Sequence, residues 1–263
     1  MTGFVAATAH RGIRHIRMPS TVLSQNDSGV GVKNGINYKG LKNFVGSFTP
    51  PWAVLNDFDL LGTLSPRDRI SGFAEAVKVA LIRDKEFFLE LEEMTEELIR
   101  FEPIAVERMI RRCAELHMTQ IANSGDPFET GTARPLDFGH WAAHRLEGLT
   151  NYSLTHGEAV AIGIALDTYY SVLMGFLKDD HCERIVTLLQ KLNFTLWNPM
   201  LKQKKTSNPY NAILSGLQEF REHLGGNLTI TLLSNIGHGI EVNSMDTTSI
   251  IKAINWLEER FGV

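Results

Sequence analysis

Apolar residues recur three and four positions apart through most of this 263-residue chain, and the exceptions concentrate near its start. Ser65-Pro66 supplies a polar cap and a proline suited to a first helical turn. Behind it, 70–83 and 86–100 carry apolar positions at helical spacing. Pro103 opens a further helix through about Ala122. Long helices are predicted at about 138–149 and 156–174, with shorter ones near 179–192, 208–223 and 246–261. Thr155, with Glu158 three positions on and an apolar run behind it, has the pattern of a capping box, which gives Glu158 a structural role. Between the last two helices, 228–233 (L-T-I-T-L-L) predicts an isolated strand, with Gly225-Gly226 as the turn before it. Residues 12–62 are rich in Gly, Ser, Asn and Thr, and predict loops with strand-like runs at 14–18 and 53–56. The fold class is therefore mainly α.

Composition adds limits. At 43% hydrophobic content the chain can build a substantial core, and a net charge of −4 gives no electrostatic support to nucleic-acid binding. The one basic cluster, Lys202, Lys204 and Lys205, is expected to be a solvated loop. Two cysteines, Cys113 and Cys182, are too few for a disulfide framework and fit core thiols in a reducing compartment. No apolar stretch reaches the ~18 residues of a membrane span and no signal-peptide core is present, so a cytoplasmic protein with no membrane partner is expected.

Candidate chemistry rests on Glu75 in G-F-A-E-A-V-K, His140 in D-F-G-H-W-A-A-H and His156 in T-H-G-E-A-V-A-I-G. One carboxylate and two imidazoles can hold a divalent metal with a coordination position left open for a substrate oxygen. Each has a plainer explanation. His140 and His144 share a helix face whatever they do, His156 opens a capped helix, and Glu75 has an i,i+3 ion-pair partner in Lys78. The tract S-Q-N-D-S-G-V-G-V-K-N-G-I-N places Asp27, Lys33 and Asn37 among glycines, and Lys42-Asn43 repeats the cation-plus-amide pairing. Glycines let backbone amides approach a ligand and a lysine can hold phosphate, but polar turns have the same composition. No Walker A loop occurs, and no G-x-G-x-x-G follows a strand.

The ordered motifs P-S-T-V-L-S-Q-N-D-S-G-V-G-V-K, L-K-N-F-V-G-S-F, F-A-E-A-V-K, D-F-G-H-W-A-A-H and H-G-E-A-V-A-I-G resemble the 3-dehydroquinate synthase family of sugar phosphate cyclases, from about Gly3 to the C-terminus. The resemblance implies a multi-helical metal- and substrate-binding domain over 64–263, with 1–63 a residual α/β segment of the nucleotide-binding domain. It implies zinc, or another divalent metal, on Glu75, His140 and His156, with His144 contacting substrate or relaying a proton. Asp27, Lys33, Asn43 and Lys78 would line the substrate pocket. Ser20, Thr21, Lys33, Lys42 and the stretch Leu60, Leu61, Gly62 and Thr63 would touch NAD. The implied activity is a carbon–oxygen lyase: transient oxidation of a sugar hydroxyl by NAD, elimination of phosphate, re-reduction and ring closure. Cations would hold the leaving group and a ketone would stabilise the carbanion. A homodimer is implied in the same way.

Two departures bear on the expectation. Family members carry upstream a nucleotide-binding half ending in a G-G-G turn, whereas this chain begins at Met1-Thr2-Gly3. A shortened chain with weakened NAD binding, an unpaired strand edge and exposed apolar surface is therefore expected. In addition, His117 stands where dehydroquinate synthase has a lysine and Asp137 where it has an asparagine. The arginine of its G-L-R motif aligns with Ala133, one step from Arg134, and its D-K-K motif becomes Phe220 to Glu222. Fewer cations and an added acid disfavour a substrate carboxylate, so an uncarboxylated seven-carbon ketose phosphate is expected, as in the sedoheptulose 7-phosphate cyclase branch. The alternatives are a metal-dependent polyol or glycerol dehydrogenase, and an inactive fragment acting as a helical interaction module.

Overall fold

The computed structural model describes residues 1–38, 41–123, 135–203, 210–223 and 226–262, with 37, 41–44, 135 and 223 described as backbone only. The chain is mainly α, as its apolar spacing predicts. The helices are α1 (Thr2–Thr8), α2 (Pro66–Ser71), α3 (Phe73–Arg83), α4 (Lys85–Glu93), α5 (Thr95–Ile99), α6 (Pro103–Asn123), α7 (His140–Leu149), α8 (His156–Leu173), α9 (Asp179–Lys191), α10 (Asn211–His223) and α11 (Thr247–Phe261). Ser65 caps α2 through Asp68 N–H, and the complete capping box of Thr155 and Glu158 starts α8.

Helix α3 runs through the core, with every residue from Phe73 to Ile82 buried. It packs on α6 and α8. Helix α8 is covered in turn by α7, α9, α11 and the strand β5 described below. The break between α2 and α3 falls at Gly72, where the chain crosses Val22 and Leu23. A Cβ at Gly72 would lie 2.5 Å from the Leu23 nitrogen. The buried Asn26 amide donates to the Gly72 carbonyl at 2.7 Å and fixes the crossing.

The strands depart from expectation in two places. Residues 228–233 are not isolated: β5 (Ile230–Asn235) pairs antiparallel with β6 (His238–Val242), Ile230 opposite Val242. The turn between them is set by Gly237 at φ +81°, where a Cβ would meet the Lys85 nitrogen at 2.5 Å. Within the tract expected to be loops, β2 (Lys33–Tyr38) and β3 (Leu41–Phe48) form an antiparallel hairpin. Gly35 pairs with Gly46 there, and a Cβ at Gly46 would lie 2.4 Å from Asn34 O, so low strand propensity is offset by backbones that only glycine lets so close. The expected runs at 14–18 and 53–56 contain the short parallel pair β1 (Ile16–Arg17) and β4 (Ala53–Val54). Ile16, Met18, Trp52 and Leu55 are exposed around this pair.

Cys113 and Cys182 are buried free thiols, as expected. Lys202 is not simply solvated, because its ammonium pairs with Glu258; Lys204 and Lys205 lie outside the described residues. Among the described residues no helix is long and apolar enough to cross a membrane.

Candidate metal centre

Three helices begin at one place. Glu75 is the third residue of α3, His140 the first of α7 and His156 the first of α8. His156 Nε2 lies 3.0 Å and His140 Nε2 3.5 Å from the same Glu75 oxygen, Oε1, and one ligand atom from each residue falls within 4.8 Å of the others. Glu75 is fully buried, His140 nearly so, and His156 half-buried.

The far side of each ring fixes its orientation. His140 Nδ1 lies 3.0 Å from Phe138 O, which can only accept, so Nδ1 donates there and Nε2 is the nitrogen turned toward Glu75. His156 Nδ1 faces Glu147 Oε2 at 3.3 Å, a carboxylate–histidine pairing that holds the ring with Nε2 inward. Two imidazole nitrogens and a carboxylate oxygen meeting at one point require positive charge between them. Without a metal, His156 supplies it as imidazolium: burial works against the charge, yet hydrogen bonds to Glu147 and Glu75 raise its pKa to about 9. This donor set, with its oriented outer partners, fits a divalent metal.

The plainer reading of Glu75 also holds, because its other oxygen, Oε2, pairs with buried Lys78. Burial opposes ionisation of Glu75, but Lys78 and His140 hold its pKa well below the usual carboxylate range. Burial likewise opposes the Lys78 charge, and Glu75 and Asp27 override it, so the ammonium stays charged.

Around this centre stand most of the other expected pocket residues. Asp27, on a short π-helical turn (Ser24–Ser28), meets His117 Nδ1 of α6 at 3.1 Å. Burial and Glu75 push the Asp27 pKa up, and Lys78 and His117 outweigh them to keep it low. Asp137, one turn before α7, is also held ionised against burial, by Lys33, His140 and Lys78. The His144 ring lies 5.3 Å from that of His140 and 6.0 Å from that of His156, on the exposed side. The positions expected to touch NAD are more dispersed. Ser20, Gly62 and Thr63 are exposed, Thr21 and Leu60 half-buried, and Leu61 lies in the core. Thr63 Oγ1 is spent on Leu60 O at 2.7 Å. Most of these positions lie at or near the surface. The side chains of Lys42 and Asn43, together with Ala133 and Arg134, lie outside the described residues.

Glu158 is structural, as its motif predicts: besides the capping box it takes Arg67 through two hydrogen bonds, at 2.7 and 2.6 Å. Sequence reasoning passed over Glu147 and Asp167. Glu147 lies seven positions after His140 on the same face, a detectable signal. Asp167 is a lone acid closing the apolar run A-V-A-I-G-I-A-L. It is fully buried and accepts the Trp141 indole N–H at 2.9 Å and the Gly139 N–H at 3.1 Å. Burial raises its pKa to about 7, against the two hydrogen bonds that lower it. A folded-state pKa above the unfolded one of ~3.9 means that the native state binds the extra proton, so stability falls as pH rises from about 4 through about 7. Urea midpoints at pH 5 and pH 7.5 are expected to show this loss, and Asp167→Asn to flatten it. An equal slope in the variant would refute the assignment.

Comparison with known proteins places this geometry. The profile of the 3-dehydroquinate synthase N-terminal domain matches residues 1–71, and that of the C-terminal domain residues 72–215. The 3-dehydroquinate synthase of Dichelobacter nodosus (strain VCS1703A) is 37% identical over 255 residues, covering 97% of this chain and 67% of that protein. That of Buchnera aphidicola subsp. Baizongia pistaciae (strain Bp) is 35% identical over 239 residues, covering 90% of this chain and 65% of that protein. The chain thus spans about two thirds of the length of these relatives. Among solved structures, ValA, the 2-epi-5-epi-valiolone synthase of Streptomyces hygroscopicus subsp. jinggangensis 5008 with NAD+ and Zn2+ bound, superposes with a TM-score of 0.89 at 29% identity, over 98% of this chain and 70% of that one. A 2-deoxy-scyllo-inosose synthase complexed with carbaglucose-6-phosphate, NAD+ and Co2+ gives 0.78 at 26% identity, over the same shares. With the two domain profiles matched over adjoining stretches of the chain and the carboxylate and imidazoles gathered at three helix starts, the chain belongs to the 3-dehydroquinate synthase family.

Proposed function

We propose that this chain carries the metal- and substrate-binding part of a sugar phosphate cyclase, a carbon–oxygen lyase that releases phosphate from an uncarboxylated seven-carbon ketose phosphate. The observation that carries it is the convergence of Glu75, His140 and His156 on one point beside charged Lys78. The relatives support cyclase over dehydrogenase chemistry: they are named 3-dehydroquinate synthases, and the structural neighbours are cyclases holding NAD+ with Zn2+ or Co2+.

In this reading 64–263 hold metal and substrate and 1–63 face the nucleotide, in a homodimer. Glu75, His140 and His156 hold the divalent metal, which when bound polarises a substrate oxygen. NAD, when bound along Ser20, Thr21 and 60–63, supplies reversible oxidation of a hydroxyl. Lys78 and Lys33 hold the phosphate and stabilise the charge it carries away. His144, at the open side of the two ligand rings, moves the proton. Asp27 orients His117 through Nδ1, and ionised Asp137 repels a substrate carboxylate.

The substrate class is tested by calorimetry on the zinc-loaded chain, which reads the pocket without hydride transfer. Sedoheptulose 7-phosphate is expected to bind more tightly than its carboxylated 2-keto acid counterpart. His117→Lys with Asp137→Asn is expected to reverse the preference by about tenfold or more, the worth of one charged hydrogen bond. Tighter binding of the carboxylated sugar by the unmodified chain would move the protein to the dehydroquinate-forming branch. In the presence of NAD, phosphate release from the bound sugar is the activity to be seen, and NADH accumulation without phosphate would favour a dehydrogenase.

A further inference from the structure

Asp167 is a costly residue where it stands. Its carboxyl is fully buried in the middle of α8, and its side-chain partners, the Gly139 N–H and the Trp141 indole, are both neutral. A buried acid without a cation is expensive, and an apolar residue would continue the surrounding run. The two donors are the residues immediately before and after His140. Oδ2 takes Gly139 and Oδ1 takes Trp141, so one carboxylate ties the start of α7 on both sides of His140 in the chain.

The backbone beneath is held as firmly. Gly139 has φ +76°, and a Cβ there would lie 2.6 Å from the Ile164 nitrogen. One turn along α8 from Asp167, a Cβ on Gly163 would lie 2.0 Å from Gly139 O. The start of α7 therefore rests on the α8 backbone at Gly163 and is tied to the α8 side chain at Asp167. His140 adds the last restraint through Nδ1 on Phe138 O.

We infer that Asp167 is a positioning residue for the metal centre: by tying Gly139 and Trp141 to α8 it sets where His140 Nε2 points. The inference rests on Glu75, His140 and His156 being the metal ligands, as proposed above. Asp167 touches neither metal nor substrate in this reading. It acts through the helix start that presents the ring, as outer partners of metal ligands do in general.

The test compares the full chain with Asp167→Asn and Trp141→Phe. Asparagine keeps the size and one accepting oxygen but turns an NH2 toward a donor, so one of the two ties is lost. Phenylalanine removes the indole donor and leaves the Gly139 tie. Each protein is titrated with Zn2+ against a chromophoric chelator, the Co2+-loaded form is examined by visible absorption, and the melting temperature of the metal-free form is recorded. We expect Asp167→Asn to lose about tenfold or more in Zn2+ affinity and to change the Co2+ band, with Trp141→Phe shifted the same way by less. Unchanged affinity and an unchanged Co2+ band in both variants, with only the melting temperature lowered, would reduce Asp167 to a packing role and overturn the inference. If Asp167→Asn does not fold, Trp141→Phe decides by the same two readings. An unmodified chain that binds neither metal would overturn the ligand assignment beneath, a result distinct from a tight site that ignores residue 167.

Discussion

Glu75→Gln will abolish tight Zn2+ binding and destabilise the fold at the same time. The two oxygens of Glu75 do different work: Oε1 gathers the two imidazole nitrogens and Oε2 pairs with Lys78 inside the core. The amide cannot supply an anionic ligand, and loss of an inner ligand exceeds the ten- to hundredfold usual for an outer partner, so a drop of at least about a hundredfold is expected. Lys78 is then left as a buried cation without its nearest partner, a loss of about 3–5 kcal/mol, lessened by the nearby Asp27. The double variant Glu75→Gln, Lys78→Met separates the effects, because removing both charges is nearly neutral for stability while the metal stays lost. Chemical denaturation and chelator competition on the same samples read both quantities. A Glu75→Gln chain that keeps its zinc would end the assignment.

Gly163→Ala should be strongly damaging for a single added methyl. Its Cβ would be placed 2.0 Å from Gly139 O and 2.9 Å from Gly139 C, backbone atoms that cannot swing aside as a side chain does. Helices α7 and α8 must separate, at a cost of about 3 kcal/mol or more. Because the displaced atom lies next to His140, Zn2+ affinity should fall with stability. Gly148→Ala provides the control: it sits within α7, nothing lies within 4 Å of its Cβ, and alanine there should gain up to about 1 kcal/mol from helix propensity. Equal denaturation midpoints for the two variants would show that the close approach at Gly139 is not as tight as described.

What could be read from the sequence follows the range of the forces involved. Helix spans were legible because spacing and caps are local: Ser65, Thr155 and Pro103 each mark a start that the structure keeps. Breaks at Gly72 and Met94 were not, since Gly72 interrupts the helix where a distant loop crosses it. The β2–β3 hairpin hid in a Gly- and Asn-rich tract whose strand character comes from its partner. The three proposed ligands stood out as residue types in recognisable motifs, and the Glu75–Lys78 spacing was equally legible as an ion pair. That both hold at once depends on two oxygens facing opposite ways, which no spacing reveals. Glu147 and Asp167 act on rings and helix starts brought to them by folding.

The meeting of three helix beginnings has an electrical consequence. Each helix carries the equivalent of about half a positive charge at its amino end. Glu75, His140 and His156 all occupy first turns, so the macrodipoles of α3, α7 and α8 raise the potential at a single point. That field favours the ionised carboxylate of Glu75 and the neutral, lone-pair form of the His156 imidazole, the state each must reach to bind a cation. It opposes the pull of Glu147 and Glu75 toward imidazolium, and it leaves the face of the centre turned toward solvent attractive to an anion.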